Sequence, residues 1–165
     1  MVVDTILFGD CRETLKEFDG KARTCVTSPP YYGLRDYGGE ESQIGQEQTP
    51  EEYIQNLVEV FRSVRDVLTD DGTLWVNIGD SYYNYRPGKG QALPKQTVSK
   101  TKQDLPDKCA KRGNKLEGLK EKDLIGIPWM LAFALRADGW YLRQDIIWHK
   151  PNPMPESVKD RCTKS

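Results

Sequence analysis

Five consecutive residues, Thr27-Ser28-Pro29-Pro30-Tyr31, carry groups that could make a nucleobase amine react. The exocyclic amine of cytosine or adenine is a poor nucleophile because its lone pair is delocalised into the ring. The Ser28 hydroxyl and the Pro29 carbonyl would accept hydrogen bonds from the two N–H groups of this amine. The two prolines would hold that carbonyl rigidly. A base extruded from a duplex at a cost of a few kcal/mol would regain roughly 1–3 kcal/mol by stacking on Tyr31. A proline-rich turn without catalytic function is the alternative that these residues leave open.

The five residues come at the end of a short predicted strand, Thr24–Thr27. Neither Pro29 nor Pro30 can donate to a sheet ladder, so the strand should end before them. In open α/β sheets, ligands bind in the crevice beyond the carboxyl ends of the strands. The position therefore suits a binding or catalytic site.

Apolar periodicity and capping residues predict the elements that surround this site. Thr49, Pro50 and Glu52 form a capping box at the start of the best-defined helix. In chain order we expect a strand Thr5–Phe8, a helix capped by Asp10 and closed by Gly20, the strand Thr24–Thr27, a helix that begins at Thr49 and is ended by Asp71-Gly72, a strand Thr73–Ile78, a helix Pro128–Ala137 and a strand Tyr141–Trp148. This alternation predicts an α/β fold with a mostly parallel sheet and helices on both faces.

Residues 81–119 lack apolar periodicity and are rich in Gly, Pro, Lys and Gln. The stretch from Arg86 to Lys115 holds nine Lys or Arg and only two acidic residues, Asp104 and Asp107. Such a basic segment is often just a solvated surface, but it can also face phosphates. We predict a basic, flexible insertion that faces DNA.

Composition indicates one globular domain over residues 1–165. The chain is 37% hydrophobic and 30% charged, with a net charge of −1. It has neither an apolar run of about 20 residues nor a signal-peptide pattern, so we expect a cytoplasmic protein that does not enter membranes. Its four cysteines are scattered without a CxxC pair, and His149 is the sole histidine. We therefore expect free thiols and no metal site.

Four segments in a fixed order resemble the β group of amino-group DNA methyltransferases, in which the catalytic half precedes the cofactor-binding half. They are Gly9-Asp10-Cys11, the run from Thr27 to Gly38, the run from Asp71 to Asp80, and Trp148-His149-Lys150-Pro151-Asn152. The resemblance implies a Rossmann-like fold that uses S-adenosylmethionine. It also implies that this fold is incomplete, a partial catalytic domain, because the family's glycine-rich cofactor loop and its target-recognition region find no match here.

The resemblance assigns roles to single residues. It implies that Ser28, Pro29, Pro30 and Tyr31 are catalytic. Asp10 would accept from the adenine amino group of S-adenosylmethionine, with Cys11 beside it and Thr27 in the same cofactor-binding set. Arg35 and Lys150 would contact phosphates of double-stranded DNA. A carboxy-terminal half or a second copy of the chain would be a further partner.

The predicted reaction is methyl transfer to the exocyclic amine of a flipped base. Ser28 at the first motif position resembles the cytosine-N4 enzymes, so we expect cytosine N4 as the target. Adenine N6 is the nearest alternative. A non-catalytic module that binds DNA or a protein partner is another, because the glycine-rich loop is absent. Methylation of a protein glutamine is a third, although related enzymes of that kind carry Asn in place of Ser28.

Overall fold

Two parallel strands, β1 (Ala22–Thr27) and β2 (Leu68–Val76), form the sheet that the described residues contain. The computed structural model describes residues 4–34, 43–83, 116, 118–153, 159 and 161–162. The pairing aligns Cys25 with Leu74 and Thr27 with Val76. The backbone N–H of Asn77 continues the ladder by donating to the Thr27 carbonyl at 2.9 Å. The predicted strand before the motif and the parallel pairing are confirmed.

Helix α2 (Pro50–Val67) connects the two strands and begins as the sequence predicts. The Thr49 hydroxyl accepts from the Glu52 N–H at 3.2 Å, and the Glu52 carboxylate accepts from the Thr49 N–H at 3.3 Å. The predicted end at Asp71-Gly72 is wrong. Leu68 already has an extended backbone (φ −80°, ψ 154°), and Asp71-Gly72 lies inside β2, where the strand pairing is irregular.

The hydrophobic core lies between one face of the sheet, α2 and α3 (Ile127–Ala137). Cys25, Leu74 and Val76 pack against it from the sheet. Each fully buried large side chain contributes roughly 1.5–3 kcal/mol to folding. The buried members are Tyr53, Ile54, Leu57, Val58, Phe61, Val64, Leu68, Ile127, Leu131 and Leu135. This core fixes α2 against the strand that leads into the motif.

The opposite face of the sheet is exposed. Val26 and Trp75, which are paired in register, are 77% and 49% exposed. Beside them the Thr24 and Thr73 hydroxyls bond to each other at 3.0 Å. The prediction of helices on both faces is therefore wrong for the described residues, because α2 and α3 pack on the same face.

Two predicted strands are also wrong. Residues 5–8 and 141–148 adopt no regular structure, and most of their apolar side chains are exposed, including Phe8 at 87% and Ile147 at 85%. A strand exists only when a neighbouring strand accepts its backbone hydrogen bonds. Within the ranges that the structure describes, β1 and β2 pair with each other and not with these segments.

The first helix, α1 (Cys11–Thr14), is shorter than the predicted one. Asp10 caps it as expected, since its side chain accepts from the Arg12 N–H, but the helix ends at Thr14 and Gly20 does not close it. So short a helix gains little from its own hydrogen bonds. Leu15 packs against the core, while Phe18 is exposed.

The first residues of the predicted insertion at 81–119 are held in the described fold. Tyr82 forms an antiparallel bridge with Leu124, and the Tyr83 hydroxyl accepts from the Leu116 N–H at 3.0 Å. The prediction that order is lost from Ser81 is therefore wrong for Ser81–Tyr83. The basic stretch from Arg86 to Lys115 lies outside the described residues.

Helix α3 confirms the prediction for Pro128–Ala137 within one residue. No helix in the described part of the chain combines the length and the apolar character that a membrane crossing requires. Cys11, Cys25 and Cys162 are free thiols, and Cys109 lies outside the described residues.

Candidate active site

Residues 27–34, which we call the motif turn, leave the sheet where β1 ends. Ser28 is exposed, Pro29 is buried, Pro30 is exposed and Tyr31 is half-buried. The motif therefore lies at the protein surface, at the carboxyl end of a parallel strand, and not in the interior. This is where ligands bind in open α/β sheets.

The carbonyl groups of the motif turn fall into two sets. The Thr27 carbonyl accepts from the Asn77 N–H at 2.9 Å, and the Pro30 carbonyl accepts from the Tyr53 hydroxyl at 2.7 Å. The Tyr31 carbonyl accepts from the Leu34 N–H at 3.2 Å. The Pro29 carbonyl and the Ser28 hydroxyl, by contrast, make no hydrogen bond with any residue that the structure describes. Two adjacent residues thus carry acceptor oxygens that no described residue uses.

The Tyr31 ring packs on the backbone of Gly79, just beyond β2. A β-carbon at Gly79 would lie 3.0 Å from Cε2 and 3.4 Å from Cδ2 of that ring. Gly79 is not among the glycines with positive φ, so its absent side chain makes room for the ring and does not relieve the backbone.

A second loop supports the motif turn from the side. The Gly33 N–H donates to the Gly45 carbonyl at 2.8 Å, and Gly45 has a left-handed φ of +97° that a side chain would strain. A β-carbon there would also lie 3.1 Å from the Tyr31 carbonyl oxygen. The motif turn is therefore packed closely against residues that precede α2.

Residues 9–14, which we call the Asp10 turn, form the other predicted part of the site. The Asp10 carboxylate accepts from the Arg12 N–H at 2.8 Å and from the Arg12 guanidinium Nε at 3.0 Å. These hydrogen bonds lower the pKa of Asp10 to about 2. Partial desolvation and the neighbouring Asp10 carboxylate raise the pKa of the Cys11 thiol.

Asp10 lines a surface depression of about 350 Å³. Its other lining residues are Arg12, Glu13, Lys16, Glu59 and Ser63. The acceptor chemistry of Asp10 fits an adenine amino group, and the depression offers space beside it. No residue of the motif turn lines this depression. Asp10 and Cys11 are neighbours in the chain, and Thr27 lies at the end of β1 and does not line this depression.

The structure describes one of the two predicted DNA-binding residues. Lys150 is exposed in a segment without regular structure and makes no ion pair within the described ranges. Arg35 lies outside the described residues. The three cysteines and His149 do not assemble with carboxylates into a metal-ligand cluster among the described residues.

Three residues near the motif turn were not singled out from the sequence. Tyr53 lies in a helix that the sequence predicts, and the available signal was that a buried tyrosine hydroxyl needs an acceptor. Gly79 carried no signal of its own. Asp80 lies four residues beyond the end of β2, and its carboxylate accepts from the N–H groups of Gly126 and Ile127, where α3 starts.

The family model described as DNA methylase matches residues 22–165, which include β1, the motif turn and β2. The chain belongs to the DNA methylase family. This confirms the resemblance to amino-group DNA methyltransferases that the four segments indicated. In this member of the family, the motif turn follows the end of β1.

The named relatives of this chain are Type II methyltransferases. The chain is 52% identical over 162 residues to M.Cfr9I of Citrobacter freundii, covering 98% of the chain and 51% of that protein. It is 52% identical over 166 residues to M.SmaI of Serratia marcescens, covering 97% of the chain and 52% of the relative. For M.SfiI of Streptomyces fimbriatus the identity is 39% over 156 residues, covering 94% of the chain and 32% of that protein.

The chain spans about half the length of the relatives that it matches at 52% identity. No solved structure matches it.

Proposed function

We propose that this chain supplies the catalytic motif of a DNA methyltransferase that transfers a methyl group from S-adenosylmethionine to the exocyclic amine of a flipped base, with cytosine N4 preferred. One observation carries the proposal. The Ser28 hydroxyl and the Pro29 carbonyl are left without donors in the described structure, while the Thr27, Pro30 and Tyr31 carbonyls are all engaged.

The two free oxygens suit the chemistry of an amine. Each oxygen accepts a hydrogen bond from one N–H group of the target amine. The nitrogen lone pair is thereby drawn out of conjugation with the ring, and the nitrogen becomes nucleophilic. S-adenosylmethionine supplies an electrophilic sulfonium methyl group when it is bound. The nitrogen forms a bond to that methyl carbon as the carbon–sulfur bond breaks, and the nitrogen then loses one proton to water.

Tyr31 and the Asp10 turn fill the remaining roles. Tyr31 offers a half-buried aromatic ring beside the acceptors, and stacking a base on such a ring is worth roughly 1–3 kcal/mol. Asp10 would hold the adenine amino group of the cofactor, with Cys11 next to it. Other parts of the cofactor pocket would come from a further segment or a second chain, because no glycine-rich loop of the family kind occurs in this sequence.

The substrate in this proposal is double-stranded DNA, and the protein would modify a specific site within a restriction–modification system, as the Type II names of its relatives suggest. Arg35 and Lys150 are proposed to contact phosphates. Serine at the first motif position favours cytosine, whereas methylation of adenine N6 would use the same two acceptors.

Nucleoside mass spectrometry tests the proposal. The protein expressed from the open reading frame that encodes this chain, hereafter the expressed protein, is incubated with S-adenosylmethionine and plasmid DNA from a host without DNA methyltransferases. We expect N4-methylcytosine. N6-methyladenine would correct the base and retain the mechanism, whereas the absence of both products would reject the function.

A pair of tyrosine variants identifies the site in the same assay. Tyr31→Ala should lower the methylation rate about 10- to 100-fold, the equivalent of losing one base–aromatic stack. Tyr141→Ala, which removes an 86% exposed tyrosine outside the site, should leave the rate unchanged. Equal rates for Tyr31→Ala and the unsubstituted protein would contradict the assignment of the motif turn.

A further inference from the structure

We propose that Tyr53 and Gly79 are positioning residues that together set the orientation of the Tyr31 ring before DNA binds. The inference rests on the proposed function, because it concerns how the ring that stacks the base is held. Tyr53 lies in α2 and Gly79 follows β2, so the two residues approach the motif turn from different elements.

Tyr53 fixes the peptide group that precedes Tyr31. Its side chain is fully buried, and its hydroxyl donates to the Pro30 carbonyl at 2.7 Å. Burial, with a smaller contribution from Glu47, raises the pKa of this hydroxyl. The hydroxyl therefore keeps its proton and remains a donor over the pH range in which the protein would be assayed. Because Tyr53 sits in the first turn of a helix with a complete capping box, its hydroxyl approaches the motif turn from a well-anchored element.

Gly79 fixes the ring itself. The β-carbon of an alanine there would meet Cε2 of Tyr31 at 3.0 Å, so the ring would have to move by a few tenths of an ångström. The next residue, Asp80, is held by the N–H groups of Gly126 and Ile127 at 3.0–3.2 Å. The surface beneath the ring therefore has little freedom to yield, and the ring takes up the displacement.

These contacts lead to a kinetic expectation. A ring that is already oriented loses little freedom when a base stacks on it, so the rigid contacts raise the fraction of encounters that reach a reactive geometry. Tyr53 and Gly79 do not touch the base or the DNA in this arrangement. Their loss should slow the chemical step and leave the affinity for DNA nearly unchanged.

A pair of phenylalanine variants of the expressed protein tests Tyr53. Tyr53→Phe should lower the single-turnover methylation rate about three- to tenfold, the equivalent of one net hydrogen bond, with less than about a twofold change in KM for plasmid DNA. Tyr83→Phe is the matched control, since Tyr83 is also buried and its hydroxyl bonds to a backbone group, the Leu116 N–H. It should lower the melting temperature similarly and leave the rate unchanged. Equal rates for both variants would overturn the role of Tyr53.

A double-mutant cycle on melting temperature tests Gly79 without any need for activity. Gly79→Ala should lower the melting temperature when Tyr31 is present and have little effect in a Tyr31→Ala background, where no ring meets the added methyl group. Equal shifts in both backgrounds would overturn the contact. If the unsubstituted protein methylates neither base, the proposed function fails and the positioning role fails with it. If it is active but Tyr53→Phe keeps the full rate, the positioning role fails alone.

Discussion

The motif turn is held by residues that are distant in sequence, whereas the Asp10 turn is held by its own neighbours. Tyr53 from α2 and Asn77 from the end of β2 donate to the Pro30 and Thr27 carbonyls. Asp10, in contrast, is engaged by Arg12, two residues away. Both turns end at the protein surface, and each carries residues predicted to contact a ligand.

The difference shows how each part of the proposed site would respond to a ligand. Moving the acceptors of the motif turn requires a change in the packing of α2 or β2. Freeing the Asp10 carboxylate requires only the loss of local hydrogen bonds, those from the backbone N–H and the guanidinium of Arg12. The motif turn is thus suited to fixed geometry, and the Asp10 turn is suited to exchanging one partner for another.

Removing a core side chain of α2 should have the largest effect. Phe61 is 1% exposed in α2, and Phe61→Ala should lower the free energy of unfolding by about 3–5 kcal/mol through lost burial and a cavity. Phe133→Ala, at a position that is 52% exposed in α3, should cost less than about 1 kcal/mol. Urea unfolding of the expressed protein measures both. Similar costs would show that α2 does not carry the long-range support described above.

Removing the carboxylate beyond Gly79 should have an intermediate effect. Asp80→Ala leaves the N–H groups of Ser81, Gly126 and Ile127 without this acceptor and should cost about 1–3 kcal/mol. Asp70→Ala removes an exposed carboxylate on β2 and should change stability by less than about 0.5 kcal/mol. If thermal unfolding shows no difference between the two variants, Asp80 does not anchor α3 to the end of β2.

Removing the local partner of Asp10 should have the smallest effect on stability. The pair is partly exposed, so Arg12→Ala should cost less than about 1 kcal/mol at pH 7. Because the pKa of Asp10 is depressed in the folded state, the stabilisation is present above its ordinary value of 3.8 and is lost as the pH falls towards about 2.

Carboxyl NMR titration checks this local effect directly. In Arg12→Ala the pKa of Asp10 should rise part of the way towards 3.8, because the side-chain hydrogen bond from Arg12 is the largest cause of its depression and the backbone N–H of residue 12 remains. Lys16→Ala is the control, since Lys16 has the weakest influence on that pKa and pairs instead with Glu13. An unchanged pKa in Arg12→Ala would mean that the Asp10 turn is held by something other than its neighbours.

Local signals in the sequence predicted the elements that local interactions define. The capping box at Thr49, the proline pair after β1 and the helix at Pro128 all act within a few residues, and the structure has each of them. The strands expected at Thr5–Phe8 and Tyr141–Trp148 were wrong because apolar composition shows that a segment is able to form a strand, whereas a pairing partner decides whether it does.

The support of the candidate site was hidden for the same reason. Tyr53 and Pro30 are 23 residues apart, and Asp80 and Gly126 are 46 residues apart. No periodicity or spacing rule relates residues at such distances. The motif itself was visible in the sequence because its chemistry lies in five consecutive residues, but what holds those residues in place depends on the fold.

The hydrogen bond between Leu116 and Tyr83 has a practical consequence for engineering. The chain leaves and re-enters the described fold at neighbouring points, since the Leu116 N–H meets the Tyr83 hydroxyl at 3.0 Å and Tyr82 pairs with Leu124. Lengthening a segment between two fixed ends costs only about 0.6 kcal/mol for each doubling of its length. A fluorescent reporter or an affinity peptide grafted between these ends should therefore leave β2 and α3 in place.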